Sequence, residues 1–112
     1  MAIPHAQPGE VVDVRPLGAA LAESRTHTLI KTPSLEVIRL VLPAGKTLPP
    51  HRARGEITVQ CLEGKVRFSI GDVARELQAG NLLFVEAQGE HAVEALEDSS
   101  LLLTLVLPPS QA

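Results

Sequence analysis

The sequence predicts an all-β domain, either a barrel or a sandwich. Its apolar residues recur at short spacing between residues 11 and 107, and Gly or Pro interrupts them about every eight to twelve residues. Only residues 19–24 favour a helix, and this stretch is too short for an ordinary one. A chain of 112 residues has room for one domain. We therefore expect a barrel over residues 11–107, with an arm (1–10) before it and a tail (108–112) after it.

The first predicted strands are apolar runs. Two short ones occupy residues 11–14 and 28–31, and the second ends before Pro33. Residues 35–42 alternate at first and then become apolar on both faces, until Pro43 and Gly45 end the run.

The clearest alternation predicts a hairpin. Residues 57–62 place Ile57, Val59 and Cys61 on one face, and residues 65–70 alternate in the same way. Because only Glu63 and Gly64 separate these runs, we expect the two strands to pair with each other.

Four further strands complete the predicted barrel, at residues 73–77, 82–85, 91–95 and 101–107. The last of them, LLLTLVL, is apolar on both faces, as is part of residues 35–42. A sandwich strand usually has one wet face, so a second apolar face indicates contact with another sheet or subunit. We therefore predict a homodimer.

Composition excludes several functions. Ten Lys and Arg stand against thirteen Asp and Glu, and Phe68 and Phe84 are the only aromatic residues of the Phe, Trp and Tyr group. Nucleic-acid readers need a basic surface and aromatic platforms, so nucleic acid is not an expected partner. A single cysteine, Cys61, cannot close an intrachain disulfide. No apolar run approaches the length of a membrane span and no signal sequence is evident, so we expect a cytoplasmic protein without a membrane partner.

Glycine and histidine recur at fixed intervals in two spans. In the first span, Gly45, His51 and Gly64 fit the pattern G-x5-H-x-H-x3-E-x6-G, but Ala53 and Ile57 replace the second His and the Glu.

In the second span, Gly80 and His91 fit the pattern G-x5-P-x-G-x2-H-x3-N. Glu86, Gln88 and Ala95 stand at the Pro, Gly and Asn positions. With these two motifs, the chain resembles a small single-domain bacterial cupin. The resemblance implies a double-stranded β-helix, the jelly-roll or cupin barrel.

The same resemblance implies a divalent transition metal such as Zn, Fe, Ni or Mn inside the barrel, with His51 and His91 among its ligands. Such a site needs about three protein ligands. Glu56 follows Gly55, where a bulge could turn it inward, and Cys61 shares the inward face of its strand. Either could supply a third ligand, although a lone Cys on an apolar face is usually a core residue.

Three functions remain open at this stage. The first is binding of a small molecule in an apolar barrel pocket where His51 and His91 converge. The other residues expected to line this pocket are Ile57, Val59, Cys61 and Phe68. Its guest would be a carboxylate if Arg52 or Arg54 leans over the mouth. The second is a metal-dependent oxygenase or isomerase with a non-standard third ligand. The third is a structural role with a solidly packed barrel.

Overall fold

Nine strands in two antiparallel sheets make up most of the regular structure in the computed structural model, which describes residues 4–109. The strands are β1 (His27–Lys31), β2 (Leu35–Leu42), β3 (Thr47–His51), β4 (Ile57–Glu63), β5 (Lys65–Ile70), β6 (Val73–Gln78), β7 (Leu82–Val85), β8 (His91–Ala95) and β9 (Ser99–Val106). The order is β1-β2-β9-β4-β7 in the larger sheet and β3-β8-β5-β6 in the smaller one. The predicted all-β fold class is confirmed. The ends of the predicted arm and tail, residues 1–3 and 110–112, lie outside the described residues.

The predicted pairing of residues 57–62 with 65–70 is wrong. Strand β4 pairs with β7 and β9 in the larger sheet, whereas β5 pairs with β6 and β8 in the smaller one. The chain crosses between the sheets at Gly64, which has a φ of 85°. A Cβ on Gly64 would overlap the carbonyl oxygen of Asp98 and the hydroxyl of Ser99. Glycine is therefore required at a corner where a distant segment approaches the backbone.

Two other segments differ from expectation. Residues 11–14 form no strand, and Val11 is almost fully exposed. Conversely, Thr47–His51 forms β3 although it contains Pro49 and Pro50. Since β3 is an edge strand, prolines that cannot donate to a ladder are tolerated there.

One apolar cluster fills the space between the sheets. The predicted inward face of β4 is confirmed, since Ile57, Val59 and Cys61 are all buried. The cluster also contains Leu42, Val66, Phe68, Leu77, Val85, Val93, Ala95 and Leu101. Burying each of the larger side chains stabilises the fold by about 1.5–3 kcal/mol before conformational entropy is counted. Across residues 4–109, no helix is long and apolar enough to cross a bilayer.

A segment of the chain covers part of the outer face of the larger sheet. We call residues 13–18 the N-terminal strap. Arg39 on β2 is buried, and its guanidinium donates hydrogen bonds to the main-chain carbonyls of Val14, at 2.8 Å, and Arg15. The strap therefore lies on β2 and covers the guanidinium of Arg39, which would otherwise be exposed to water.

Glu63 holds the other end of the strap. Its carboxylate accepts hydrogen bonds from the main-chain N–H groups of Leu17, at 2.8 Å, and Gly18, at 3.0 Å, and from the hydroxyl of Ser100. Burial alone would raise the pKa of Glu63, but these three donors and the charge of Arg39 hold it below its ordinary value. The ionised carboxylate is therefore the form that the fold stabilises.

Glu63→Gln tests this contact. The amide keeps one acceptor but loses the charge, so we expect the free energy of unfolding at neutral pH to fall by about 1–2 kcal/mol. Because the folded-state pKa of Glu63 is lowered, its contribution is present above the unfolded pKa and is lost as the pH falls through the folded value. Urea unfolding at neutral pH and at about pH 3 should show the variant and the wild type converging in acid. An undiminished gap in acid would contradict the assignment.

The homodimer stays a prediction. The outer face of the larger sheet exposes three large apolar side chains beyond the strap, with Leu82 67% exposed, Phe84 56% exposed and Val106 46% exposed. A second copy of this face would cover these side chains. Light scattering should then report about twice the chain mass of 11.9 kDa, and Phe84→Ser should weaken association by at least about 1 kcal/mol. A monomeric wild type would refute the dimer.

Candidate functional site

Two histidines meet where strands β3 and β8 pair. Strand β3 ends at His51 and β8 begins at His91, and these residues stand opposite each other in the ladder. Their ring centroids are 4.2 Å apart with planes at 61°, so the rings are in van der Waals contact. His91 is 5% exposed, but His51 is exposed. The pair converges as expected, although it forms the rim of the barrel and is not enclosed within it.

Main-chain carbonyls hold both imidazoles in the same way. Nδ1 of His51 lies 3.1 Å from the carbonyl oxygen of Pro49, and Nδ1 of His91 lies 2.9 Å from that of Gly89. A carbonyl oxygen only accepts, so each Nδ1 carries the hydrogen. In the neutral form, each Nε2 is therefore a hydrogen-bond acceptor. No group among residues 4–109 donates to either Nε2.

Phe68 fixes the plane of His91. The two rings are stacked at 5.8 Å between centroids and 7° between planes. Phe68 belongs to β5, which pairs with β8, and Ile70 at the end of β5 stands opposite His91. The buried histidine is therefore held between Phe68 on one side and His51 on the other.

Arg52 and Gln88 position the loop that leads into β8. The guanidinium of Arg52 donates to the carbonyl of Gln88 at 2.7 Å and to the carboxylate of Glu90 at 3.3 Å. The N–H of Gln88 donates to the carbonyl of Ala53 at 2.9 Å. These bonds tie the loop before His91 to the segment after His51. They also engage the exposed guanidinium of Arg52 with the loop.

A family model described as the cupin domain matches residues 38–107. The chain belongs to the cupin family. No curated protein sequence matches it.

Several solved structures share the fold. A conserved protein of unknown function from Streptococcus pyogenes superposes with a TM-score of 0.75 at 21% identity, covering 98% of this chain and 97% of that one. A cupin superfamily protein from Desulfitobacterium hafniense gives a TM-score of 0.76 at 18% identity, covering 92% and 100%. The DMSP lyase of Ruegeria pomeroyi gives 0.67 at 23% identity, covering 88% of this chain and 54% of that one. The likeness establishes the barrel and leaves the activity open.

The residues present do not fit a resident transition metal. Of the four ligand positions implied by the cupin motifs, the structure keeps His51 and His91, while Ala53 and Ile57 supply no donor atom. Ile57 is buried in the apolar cluster, and Glu56 beside it is exposed. Within residues 4–109, no three His, Cys, Asp or Glu side chains converge closely enough to hold an ion. Two imidazoles fall short of the three protein ligands such centres use.

Cys61 lies at the other end of the barrel from the histidines. Its Sγ donates to the carbonyls of Glu63, at 3.5 Å, and Gly64, at 3.8 Å, just before β5 begins. His91 stands beside the far end of β5, about 17 Å along a strand of this length. Burial raises the pKa of the Cys61 thiol, with the nearby Glu63 charge adding to the effect. Cys61 is therefore a neutral core residue.

The other predicted lining residues separate into two groups. Phe68 contacts His91 directly. Ile57 and Val59 are packed into the central cluster, with exposures of 3% and 0%. Buried side chains thus pack together below the histidines, and the histidine pair lies at the edge of this cluster.

Sequence reasoning missed the role of Gln88. Among residues 4–109 it is the only non-glycine residue with a positive φ, at 66°. It occupies the glycine position of the second cupin motif, which explains why the motif has glycine there. The motif spacing therefore could have identified Gln88 as a residue at a position where the backbone is left-handed.

Two substitutions at Gln88 measure this backbone strain. Gln88→Gly keeps both main-chain hydrogen bonds and relieves the left-handed conformation, so its stability should stay within about 1 kcal/mol of wild type. Gln88→Val places a β-branched residue there and should be less stable than the glycine variant by about 1–2 kcal/mol. Urea unfolding measures both. Equal stability of the two variants would contradict the strain.

Proposed function

We propose that this cupin binds a small molecule at the rim of its barrel, through His51 and His91, without a resident transition metal. The observation that carries the proposal is the pair of touching imidazoles, 4.2 Å apart, whose Nδ1 atoms are held by carbonyls and whose Nε2 atoms have no protein donor among residues 4–109. Nε2 of His91 is not among the buried polar atoms that lack a partner in residues 4–109, and His51 is exposed, so both rings are open to a ligand from solvent.

The surroundings support a compact and mostly apolar guest. Phe68 stacks on His91, and Leu48, Ala53 and Ile70 are partly buried against the same apolar cluster. A few polar groups in an apolar setting are typical of small-molecule sites. The filled interior confines the guest to the rim, because buried side chains occupy the depth of the barrel.

The alternative function is a metal-dependent cupin enzyme, an oxygenase or isomerase that uses both histidines and a third ligand. The exposed Glu56 and the distant Cys61 argue against it. Two neutral imidazoles would bind an ion weakly, and no carboxylate stands at the Ile57 position to balance its charge in an apolar setting.

A side-chain NMR titration tests the proposal. Imidazole signals of labelled protein are followed against a set of small alcohols, amides, amines and carboxylates. We expect at least one compound to shift the signals of His51 and His91 together, in a saturable way. The signals of His27 serve as the control, because its Nδ1 also lies near a carbonyl, that of Arg25 at 3.0 Å, but outside the site. His51→Ala should remove the saturable shift of His91.

Different results would contradict the binding proposal and support the metal-dependent alternative. A set in which no compound shifts both histidines contradicts the binding proposal. Calorimetric titration with Zn²⁺, Ni²⁺, Mn²⁺ and Fe²⁺ addresses the metal alternative, and we expect weak binding by the wild type. The metal affinity should fall at least about tenfold in His51→Ala and stay unchanged in Cys61→Ser. Tight stoichiometric binding by the wild type would instead favour the enzyme.

A further inference from the structure

We infer that strand β7 pairs edge to edge with β7 of a second copy of this chain, antiparallel and about a two-fold axis. The inference is independent of the proposed function, and it assigns a strand and a register to the predicted homodimer. Of the four edge strands formed by residues 4–109, three carry a feature that prevents such pairing, and β7 carries none.

The three protected edges differ in how they are protected. At β1, the N–H of Ala6 donates to a carbonyl of the strand at 2.8 Å, and a register shift interrupts the ladder. At β3, Pro49 and Pro50 remove two main-chain donors. At β6, the side chains of Arg75 and Glu76 are charged and exposed. Covering segments, bulges, prolines and charges are the means by which proteins keep strand edges from pairing.

Strand β7 lacks all of these features. Its sequence, LLFV, contains no charge and no proline, and its pairing with β4 shows no register shift. The side chains of Leu82 and Phe84 are exposed on the outer face of the sheet. A regular, apolar edge of this kind is a template to which another strand adds.

The free main-chain groups of β7 belong to Leu82 and Phe84. The N–H of Cys61 on β4 donates to the carbonyl of Asn81 at 2.9 Å, so this carbonyl faces β4. Main-chain groups alternate in direction along an antiparallel strand, so Leu83 also faces β4, whereas Leu82 and Phe84 face away from it. Within residues 4–109, no group hydrogen-bonds to the N–H or carbonyl of either outward-facing residue.

A second copy of the chain fits this edge because the two outward-facing residues are two positions apart. With Leu83 on the two-fold axis, Leu82 stands opposite the partner's Phe84, and each N–H donates to the facing carbonyl. Their apolar side chains then pack as cross-strand pairs on the outer face of the sheet. Glu86, the first charged residue after β7, stands opposite the partner's Gly80, so no like charges meet.

Two substitutions at Leu82 separate main-chain pairing from contact between apolar faces. Leu82 is the first residue of β7 and its N–H faces away from β4, so Leu82→Pro preserves the ladder within the chain. Leu82→Ala is the matched control, because it shortens the side chain and keeps the N–H. Sedimentation equilibrium from micromolar to millimolar concentration should show a reversible wild-type dimer. We expect Leu82→Pro to dimerise at least about tenfold more weakly than Leu82→Ala, because each copy loses a hydrogen bond to the other.

Disulfide crosslinking tests the register. Leu83→Cys places two thiols opposite each other at the axis, in a non-hydrogen-bonded pair with Cα atoms about 4.5 Å apart, which a disulfide can bridge. In the control Leu82→Cys, the two thiols lie on residues roughly 8 Å apart, which is too far. Oxidation should therefore link Leu83→Cys and leave Leu82→Cys unlinked. The buried Cys61 is common to both variants.

Three results would overturn the inference. A wild type that stays monomeric to millimolar concentration would do so. Equal dimerisation of folded Leu82→Pro and Leu82→Ala would indicate packing between sheet faces instead. Crosslinking of Leu82→Cys in preference to Leu83→Cys would contradict the register. None of these measurements involves His51 or His91, so the proposed function stands or fails separately.

Discussion

The corner at Gly64 determines how the histidine end of the barrel is built. There the backbone passes so close to Asp98 and Ser99 that no side chain fits, and the chain leaves the larger sheet for the smaller one. Because β5 starts in the smaller sheet, it pairs with β8 and carries Phe68 and Ile70 alongside His91. Had β5 turned back on β4, as a local hairpin, Phe68 would not have reached His91.

This chain departs from the cupin motifs at the end of the barrel where the two histidines lie. Where the cupin motifs imply four metal ligands, this chain keeps two histidines and has apolar residues, Ala53 and Ile57, at the other positions. The two remaining imidazoles contact each other and are oriented by carbonyls. The same backbone framework thus brings two imidazoles into contact and leaves the other two ligand positions without a donor atom.

Much of the fold could be predicted from the sequence because it depends on local patterns. The alternation of Ile57, Val59 and Cys61 identified an inward face. The convergence of His51 and His91 was implied by the resemblance to cupins, not by a local pattern. The pairing of β4 could not be predicted from neighbouring residues. The sequence of a Glu-Gly turn between two alternating runs is the same whether the two strands pair with each other or enter different sheets. The close approach of Asp98 and Ser99, which decides it, comes from residues far along the chain. The orientation of the imidazoles and the left-handed Gln88 likewise depend on main-chain contacts that composition does not reveal.

The N-terminal strap is attached almost entirely through its own main chain. Arg39 bonds to carbonyls of Val14 and Arg15, and Glu63 bonds to N–H groups of Leu17 and Gly18. Attachment of this kind depends on the path of the backbone and hardly on which side chains the strap carries. Relatives could therefore vary most strap side chains while keeping Arg39, Glu63 and Gly18, whose φ of 58° favours glycine. A fusion partner joined ahead of residue 13 would leave these hydrogen bonds in place. Trimming the chain past residue 18 would instead expose the guanidinium of Arg39 to water and leave the hydroxyl of Ser100 to donate to the Glu63 carboxylate.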